Sequence, residues 1–168
     1  MDFLELAKKR YSVRMYSNQP IEKEKVNRIL EAGRVAPTAH NNQPQRIYVI
    51  QSEEAREKVK KCTRYSFSAP CILLICYNED ESWYGPDNKL GSIDASIVTT
   101  HMIMEATELG LGTVWVGSFN AEITKSEFAL PKNIIPVAFL PVGYPAEMAK
   151  PSPMHANRKD MSETVSYL

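Results

Sequence analysis

The sequence predicts one layered domain mixing helices with strands, of the α+β or α/β class. Three observations carry that expectation. Segments with helical spacing alternate with short β-rich ones, and neither an internal repeat nor a low-complexity tract interrupts them. The stretch 70–77, PCILLICY, is apolar on both faces, as a central strand covered from two sides must be. Finally, 168 residues suit a single domain that buries about two-thirds or more of its unfolded surface.

The elements follow in order. Asp2 can cap a first helix that runs to about Arg10. Pro20 precedes a second, in which Val26, Ile29, Leu30, Gly33 and Val35 keep helical spacing until Pro37 stops it. RIYVIQ (46–51) is a strand by its β-branched and aromatic content, and Ser52 caps a short helix reaching about Cys62. After the apolar strand at 70–77, Ser92, with Asp94 in the first turn, opens a long helix. There Ile93, Ile97, Val98, Met102, Met104, Ala106 and Leu109 leave little polar face before Gly110, so the helix should be buried. A strand at Thr113–Val116, a short helix around Ile123–Leu130 and a strand inside IIPVAFLPVGY complete the series. Pro136 and Pro141 lack an N–H, which places that last strand at an edge or makes it irregular. Residues 145–168 carry Pro145, Pro151 and Pro153 with almost no hydrophobic periodicity and read as an extended arm of the one domain 1–168.

Composition removes several function classes. Twenty basic and 20 acidic residues balance, leaving no electrostatic footprint for nucleic acid or an anionic membrane. The N-terminal MDFLELAKKR has no apolar core of a signal peptide, and the longest strongly apolar run, Cys71–Cys76, is too short to span a bilayer. A cytoplasmic protein with a small-molecule or protein partner is expected. Cys62, Cys71 and Cys76 have no C-x-x-C spacing and read as reduced, buried thiols rather than metal ligands. GLGTVW (110–115) has its strand and helix in the wrong order for a dinucleotide loop. No phosphate-loop, zinc-protease or nucleophile-elbow motif occurs. His40, His101 and His155 lie far apart, and His101, in the most apolar helix, is expected to be a satisfied core residue.

Three polar constellations remain. In KRYSVR (9–14), cations at a helix C-terminus gain about 0.3–1 kcal/mol from the last carbonyls, which accounts for Lys8, Lys9 and Arg10. Arg14 lies beyond that helix, so the alternative is an anion site in which two Arg forks and the Ser12 hydroxyl converge on a phosphate. APTAHNNQPQ (36–45) is either an ordinary loop or a set of amide groups facing a flat heteroaromatic ring. The cations Arg158 and Lys159 either solubilise the arm or serve a ligand.

Taken together, RYSVR, APTAHNNQP, DASIVTTHMIMEATELGLGTVWVG, VGYP (142–145) and NRKDMSETV resemble, in this order and over nearly the whole chain, the nitroreductase family of FMN enzymes. The resemblance implies an α+β fold with a mixed central sheet flanked by helices, dimeric over the long central helix. It implies that Arg10, Tyr11, Ser12 and Arg14 bind FMN, joined from the arm by Arg158 and Lys159. Pro37, Thr38, Asn41 and Gln43 would reach the flavin of the partner subunit, and Trp115, Val116, Gly117 and Ser118 would bring backbone groups to its reactive edge. NAD(P)H would be the electron donor, and a nitroaromatic, quinone or similar small molecule the acceptor, in a ping-pong mechanism with no catalytic protein residue. Thr38-Ala39 and Gln45 stand where family members often have Ser-Ser and Trp. Between the central strand and the long helix, NEDESWYGPDNKLG is too short for the helices that often roof the flavin, although its Trp83 and Tyr84 could cover part of the ring. That short loop leaves an FMN-binding electron carrier with little turnover as the alternative.

Overall fold

A computed structural model describes residues 2–86 and 88–168. Its centre is the strand β2 (Cys71–Asn78), buried at all eight positions. Alternate side chains of a strand point to opposite faces, which is why the run is apolar throughout. Leu73 and Ile75 join one hydrophobic cluster with Ile29, Val98 and Met102, whereas Ile72 and Leu74 join a second with Val59 and Phe139. Each fully buried aliphatic side chain contributes about 1.5–3 kcal/mol.

Flanking strands are β1 (Gln45–Ile50), β3 (Gly112–Thr113) and β4 (Ile134–Gly143), in the order β1-β2-β4-β3 with every pair antiparallel. A parallel bridge between Ser12 and Thr113 adds the chain after the first helix to the β3 edge. The fold is α+β, with its sheet mixed through that bridge. Helices α2 (Lys23–Arg34) and α4 (Gly91–Glu108) supply the first cluster; α3 (Glu53–Cys62) and α5 (Ala121–Glu127) lie by the second. Helix α1 (Phe3–Lys9) buries none of its residues within the chain.

Capping explains most boundaries. Asp2 accepts the N–H of Glu5 at 3.0 Å, Ser52 that of Ala55 at 3.2 Å and Asn120 that of Ile123 at 2.9 Å. Helix α4 departs from the expectation: its N-cap is Leu90, without a side-chain cap, and Asp94 turns to a loop instead of serving the helix start. Strand β4 is not an edge, because β2 and β3 pair on its two sides. The expected irregularity is present at Pro136, opposite Cys76, where the register shifts. Pro141 is tolerated inside the sheet beside a β3 ladder of only two residues, its carbonyl accepting from the Tyr16 hydroxyl at 3.2 Å.

The long helix is buried on one side only. Ala95, Val98, Thr99, Met102 and Ala106 pack inward, while Ile93, Ile97, His101 and Met104 lie along an outward stripe. His101 is therefore exposed rather than a core residue, its Nδ1 3.0 Å from the Ile97 carbonyl. Phe3, Leu6, Val35 and Met104 line an open apolar groove of about 300 Å³ on this face. Phe3 is 72% and Ile93 49% exposed within the chain.

The three cysteines are free and buried. Burial pushes the Cys71 and Cys76 thiols up to about 12 from 9.0 and raises the Tyr16 hydroxyl as well. Unfolded thiols begin to ionise near pH 9 while the folded ones keep their protons to about pH 12. The stabilisation is thus complete below pH 9 and is lost as pH rises toward 12, at up to about 1.4 kcal/mol per thiol per pH unit. Urea midpoints should fall between pH 9 and 11, and a Cys71→Ala, Cys76→Ala double variant should show a shallower fall.

Among the described residues, no helix is long and apolar enough to cross a membrane. No group of three or more His, Cys, Asp and Glu side chains could hold a metal there.

Candidate functional site

The basic segment is set by one buried side chain. Arg10 ends α1, its N–H donating to the Leu6 carbonyl at 3.0 Å, and the chain then extends. Val13 bonds through its N–H to the Thr113 carbonyl at 2.9 Å and is 1% exposed. A Cβ on Gly112 would sit 2.4 Å from the Val13 side chain, so glycine there lets the two segments meet. With Val13 pointing inward, its neighbours Ser12 and Arg14 face the opposite way by the alternation of an extended chain.

The C-terminal arm meets this segment from the other side. His155 Nε2 lies 3.1 Å from the Lys8 carbonyl, and its ring meets Tyr11 edge-on at 6.3 Å. Together they form a cleft of about 290 Å³ lined by Arg10, Tyr11, Ser12 and Arg14 and by Ser152, Met154, His155 and Arg158 of the arm. Five of the sequence-predicted residues are thus neighbours. Among the described residues, none of Arg10, Arg14 and Arg158 forms an ion pair. Arg14 donates to the Ser12 carbonyl at 3.3 Å and Arg158 to the Asn157 carbonyl at 2.8 Å. Lys159 is exposed and does not line the cleft. Ser152, Met154 and His155 escaped the sequence reading; the Ser-Pro cap at 152–153, which fixes a short 3-10 turn over Pro153–Ala156, was the available signal.

The loop 36–45 forms a separate surface. The Thr38 hydroxyl accepts the N–H of Gln43 at 3.0 Å, Asn42 donates to the Glu81 carbonyl at 3.0 Å, and Arg46 pairs with the Glu81 carboxylate at 2.6 Å. His40, Asn41 and Gln43 have φ of 52°, 54° and 52°, a left-handed region that costs a residue other than glycine some energy. Pro37, Asn41 and Gln43 are exposed, and neither they nor Thr38 line the basic cleft.

Asp94 holds this loop from beneath. It is 2% exposed; one oxygen accepts the Ala39 N–H at 2.9 Å, and Oδ2 has no partner among the described residues. Asp94→Ala should destabilise the protein by about 1–3 kcal/mol, the cost of an unpaired buried N–H. Asp94→Asn should recover most of that, since an amide oxygen accepts the same bond; urea denaturation of the two variants measures both.

The third predicted stretch begins where Val13 is anchored. Two residues beyond Thr113, Trp115 is 38% exposed, whereas Val116 is buried and exchanges backbone hydrogen bonds with Phe139 at 2.9 and 3.0 Å. Gly117 and Ser118 are exposed. The Ser118 carbonyl accepts from the Thr63 hydroxyl at 2.7 Å, and Ser118 lines a different cleft with Lys60, Lys61 and Arg64. A single chain therefore displays the three predicted groups on separate surfaces.

A family model described as the nitroreductase family matches residues 7–67 and 66–144. The match stops short of the arm. Among solved structures, a nitroreductase family protein from Clostridium difficile 630 is 45% identical with a TM-score of 0.93, covering 99% of this chain and 98% of that one. A candidate nitroreductase from Exiguobacterium sibiricum 255-15 in complex with FMN has a TM-score of 0.87 at 21% identity, covering 100% of this chain and 98% of that one, a likeness of fold. A Methanothermobacter thermautotrophicus protein named as a candidate NADH dehydrogenase/NAD(P)H nitroreductase is 31% identical over 160 residues, 88% of this chain and 79% of that one. The Bacillus subtilis FMN reductase [NAD(P)H] is 29% identical over 162 residues; the match spans 84% of this chain and 65% of that one.

Proposed function

The chain belongs to the nitroreductase family, and on that premise we propose that this FMN-dependent NAD(P)H oxidoreductase works as a cytoplasmic homodimer in which each subunit completes the other's site. Its acceptor is a small organic molecule such as a nitroaromatic or quinone, reduced in a ping-pong sequence. Residues 1–168 form one domain with 145–168 as its arm.

One observation carries the reading: three guanidinium groups that form no ion pair among the described residues, together with the Ser12 hydroxyl, border one cleft. Like charges gathered without a carboxylate call for an anion, and a phosphate monoester with a charge near −2 fits. Bound FMN supplies two-electron redox chemistry between NAD(P)H and the acceptor. The chain's own work is to bind and orient. Arg10, Arg14 and Ser12 grip the phosphate end, Tyr11 borders it, and Arg158 approaches from the arm, with Lys159 next to it in the chain but outside the cleft lining. Pro37, Thr38, Asn41 and Gln43 of a second copy present a polar surface, pre-shaped by the left-handed loop, to the flavin ring. The exposed residues Gly117 and Ser118, beside Trp115 and Val116, bring backbone groups to the ring edge. No side chain is needed as nucleophile or proton donor. Three free thiols suit a reducing compartment.

The purified protein should absorb as oxidised flavin, or do so after FMN is added, and should oxidise NAD(P)H faster when menadione is present. A colourless protein that takes up no FMN overturns the proposal. A yellow protein that NAD(P)H reduces only slowly is an electron carrier instead.

A further inference from the structure

His40 combines two features that the fold alone does not require. Its φ of 52° is left-handed, and the residue is exposed with its imidazole stacked on the Trp83 indole, ring centroids 4.8 Å apart and planes inclined by 18°. The indole is itself held in place. A Cβ on Gly85 would lie 2.7 Å from an indole carbon, and the Trp83 carbonyl accepts the Leu90 N–H at 3.2 Å. Trp83 thus covers one face of the imidazole, while His40 as a residue is exposed.

Neighbouring charges are largely paired. Glu81 bonds Arg46 at 2.6 Å, Glu79 bonds Lys89 at 2.9 Å, and Asp80 accepts from Asn133 at 2.8 Å. Among the described residues, the loop therefore offers an incoming molecule an aromatic face beside paired charges. Asn41, which adjoins His40, is one of the residues assigned above to the second copy's flavin.

We propose that the His40–Trp83 stack is the seat of the electron acceptor, a flat quinone or nitroaromatic ring that packs on the open face of His40 in the site completed by the second copy. The inference rests on the shared-site reading given above. It gives Trp83 a task other than roofing: its indole backs the ring on which the acceptor lies. Electron-poor rings stack favourably on electron-rich ones, and such a pair is worth about a two- to tenfold change in affinity. The platform therefore selects planar acceptors over compact ones.

The test compares menadione, which is flat, with ferricyanide, which has no ring to stack. Asparagine tolerates the left-handed backbone, so His40→Asn removes the ring while keeping the loop. In that variant the ratio of the menadione KM to the ferricyanide KM should rise about three- to tenfold. Trp83→Leu should shift the ratio in the same direction, and Trp83→Phe should restore it. The chain has two tryptophans, so in a Trp115→Phe background the emission reports Trp83 alone. Menadione should quench it saturably, and His40→Asn should weaken that quenching. An unchanged ratio in both His40→Asn and Trp83→Leu, or an equal rise for the two acceptors, overturns the platform. A wild-type protein that holds no FMN and oxidises no NAD(P)H with either acceptor overturns the underlying reading instead.

Discussion

Arg14→Ala should weaken FMN binding ten- to a hundredfold, the loss expected when a charge-assisted bond to phosphate, worth about 1.5–3 kcal/mol, is removed. The apoprotein should hardly notice. Among the described residues Arg14 makes one long bond, 3.3 Å to the Ser12 carbonyl, and shares its cleft with Arg10 and Arg158. Removing one of three like charges relieves repulsion, so the apo melting temperature should stay level or rise while flavin affinity falls. That divergence separates a ligand-binding arginine from a structural one. Arg14→Lys keeps the charge but loses the planar fork and should recover only part of the affinity. Added salt should weaken binding to the wild type more than to Arg14→Ala, because a smaller charge is left to screen. Fluorescence titration of FMN at two ionic strengths measures all of this, and equal affinity in wild type and Arg14→Ala sinks the assignment.

Ile97→Glu should have a still larger effect, turning a yellow dimer into a colourless monomer. Ile97 is central to the outward stripe of α4, near the apolar groove formed by Phe3, Leu6, Val35 and Met104. A glutamate there would have to lose its hydration on assembly without a partner, a cost of several kcal/mol. If Asn41 of each copy serves the flavin of the other, two-fold symmetry makes the sites equivalent and both fail at once. An obligate interface of this kind should bury more than ~2,000 Å². Sedimentation across a dilution series, with flavin fluorescence followed in parallel, should show dimer and bound FMN disappearing together in the wild type. A folded monomer that keeps its FMN refutes the shared site.

What could be read from the sequence depended on whether the signal was local. Ser52 and the apolar run at 71–76 located α3 and β2 almost to the residue, because a cap and a doubly buried strand are written in adjacent residues. The grouping of Arg10, Ser12, Arg14 and Arg158 followed from resemblance, not from spacing, since more than 140 residues separate its halves. His101 was misplaced because an apolar helix looks alike whether its second face meets its own core or solvent. Pro141 was misjudged for a related reason: the sequence does not tell how short the neighbouring strand β3 will be. Asp94 resembles an ordinary first-turn acid, and only the fold brings the Ala39 N–H to within 2.9 Å of it. His155 belonged to an arm without periodicity, where no pattern reports a tertiary contact.

The strap formed by His155 against Lys8 also has a kinetic side. From Pro151 to Leu168 every residue but His155 is exposed, so little burial holds the arm down, and it can lift away without disturbing β2 or β4. Half of the basic cleft departs with it. The lifetime of a phosphate bound there should then follow the opening frequency of the arm and not the unfolding rate of the core. A ligand that bridges Arg14 and Arg158 closes the chain into a loop between those two residues, and amide exchange should slow along the arm while the central strands keep the rates they already had.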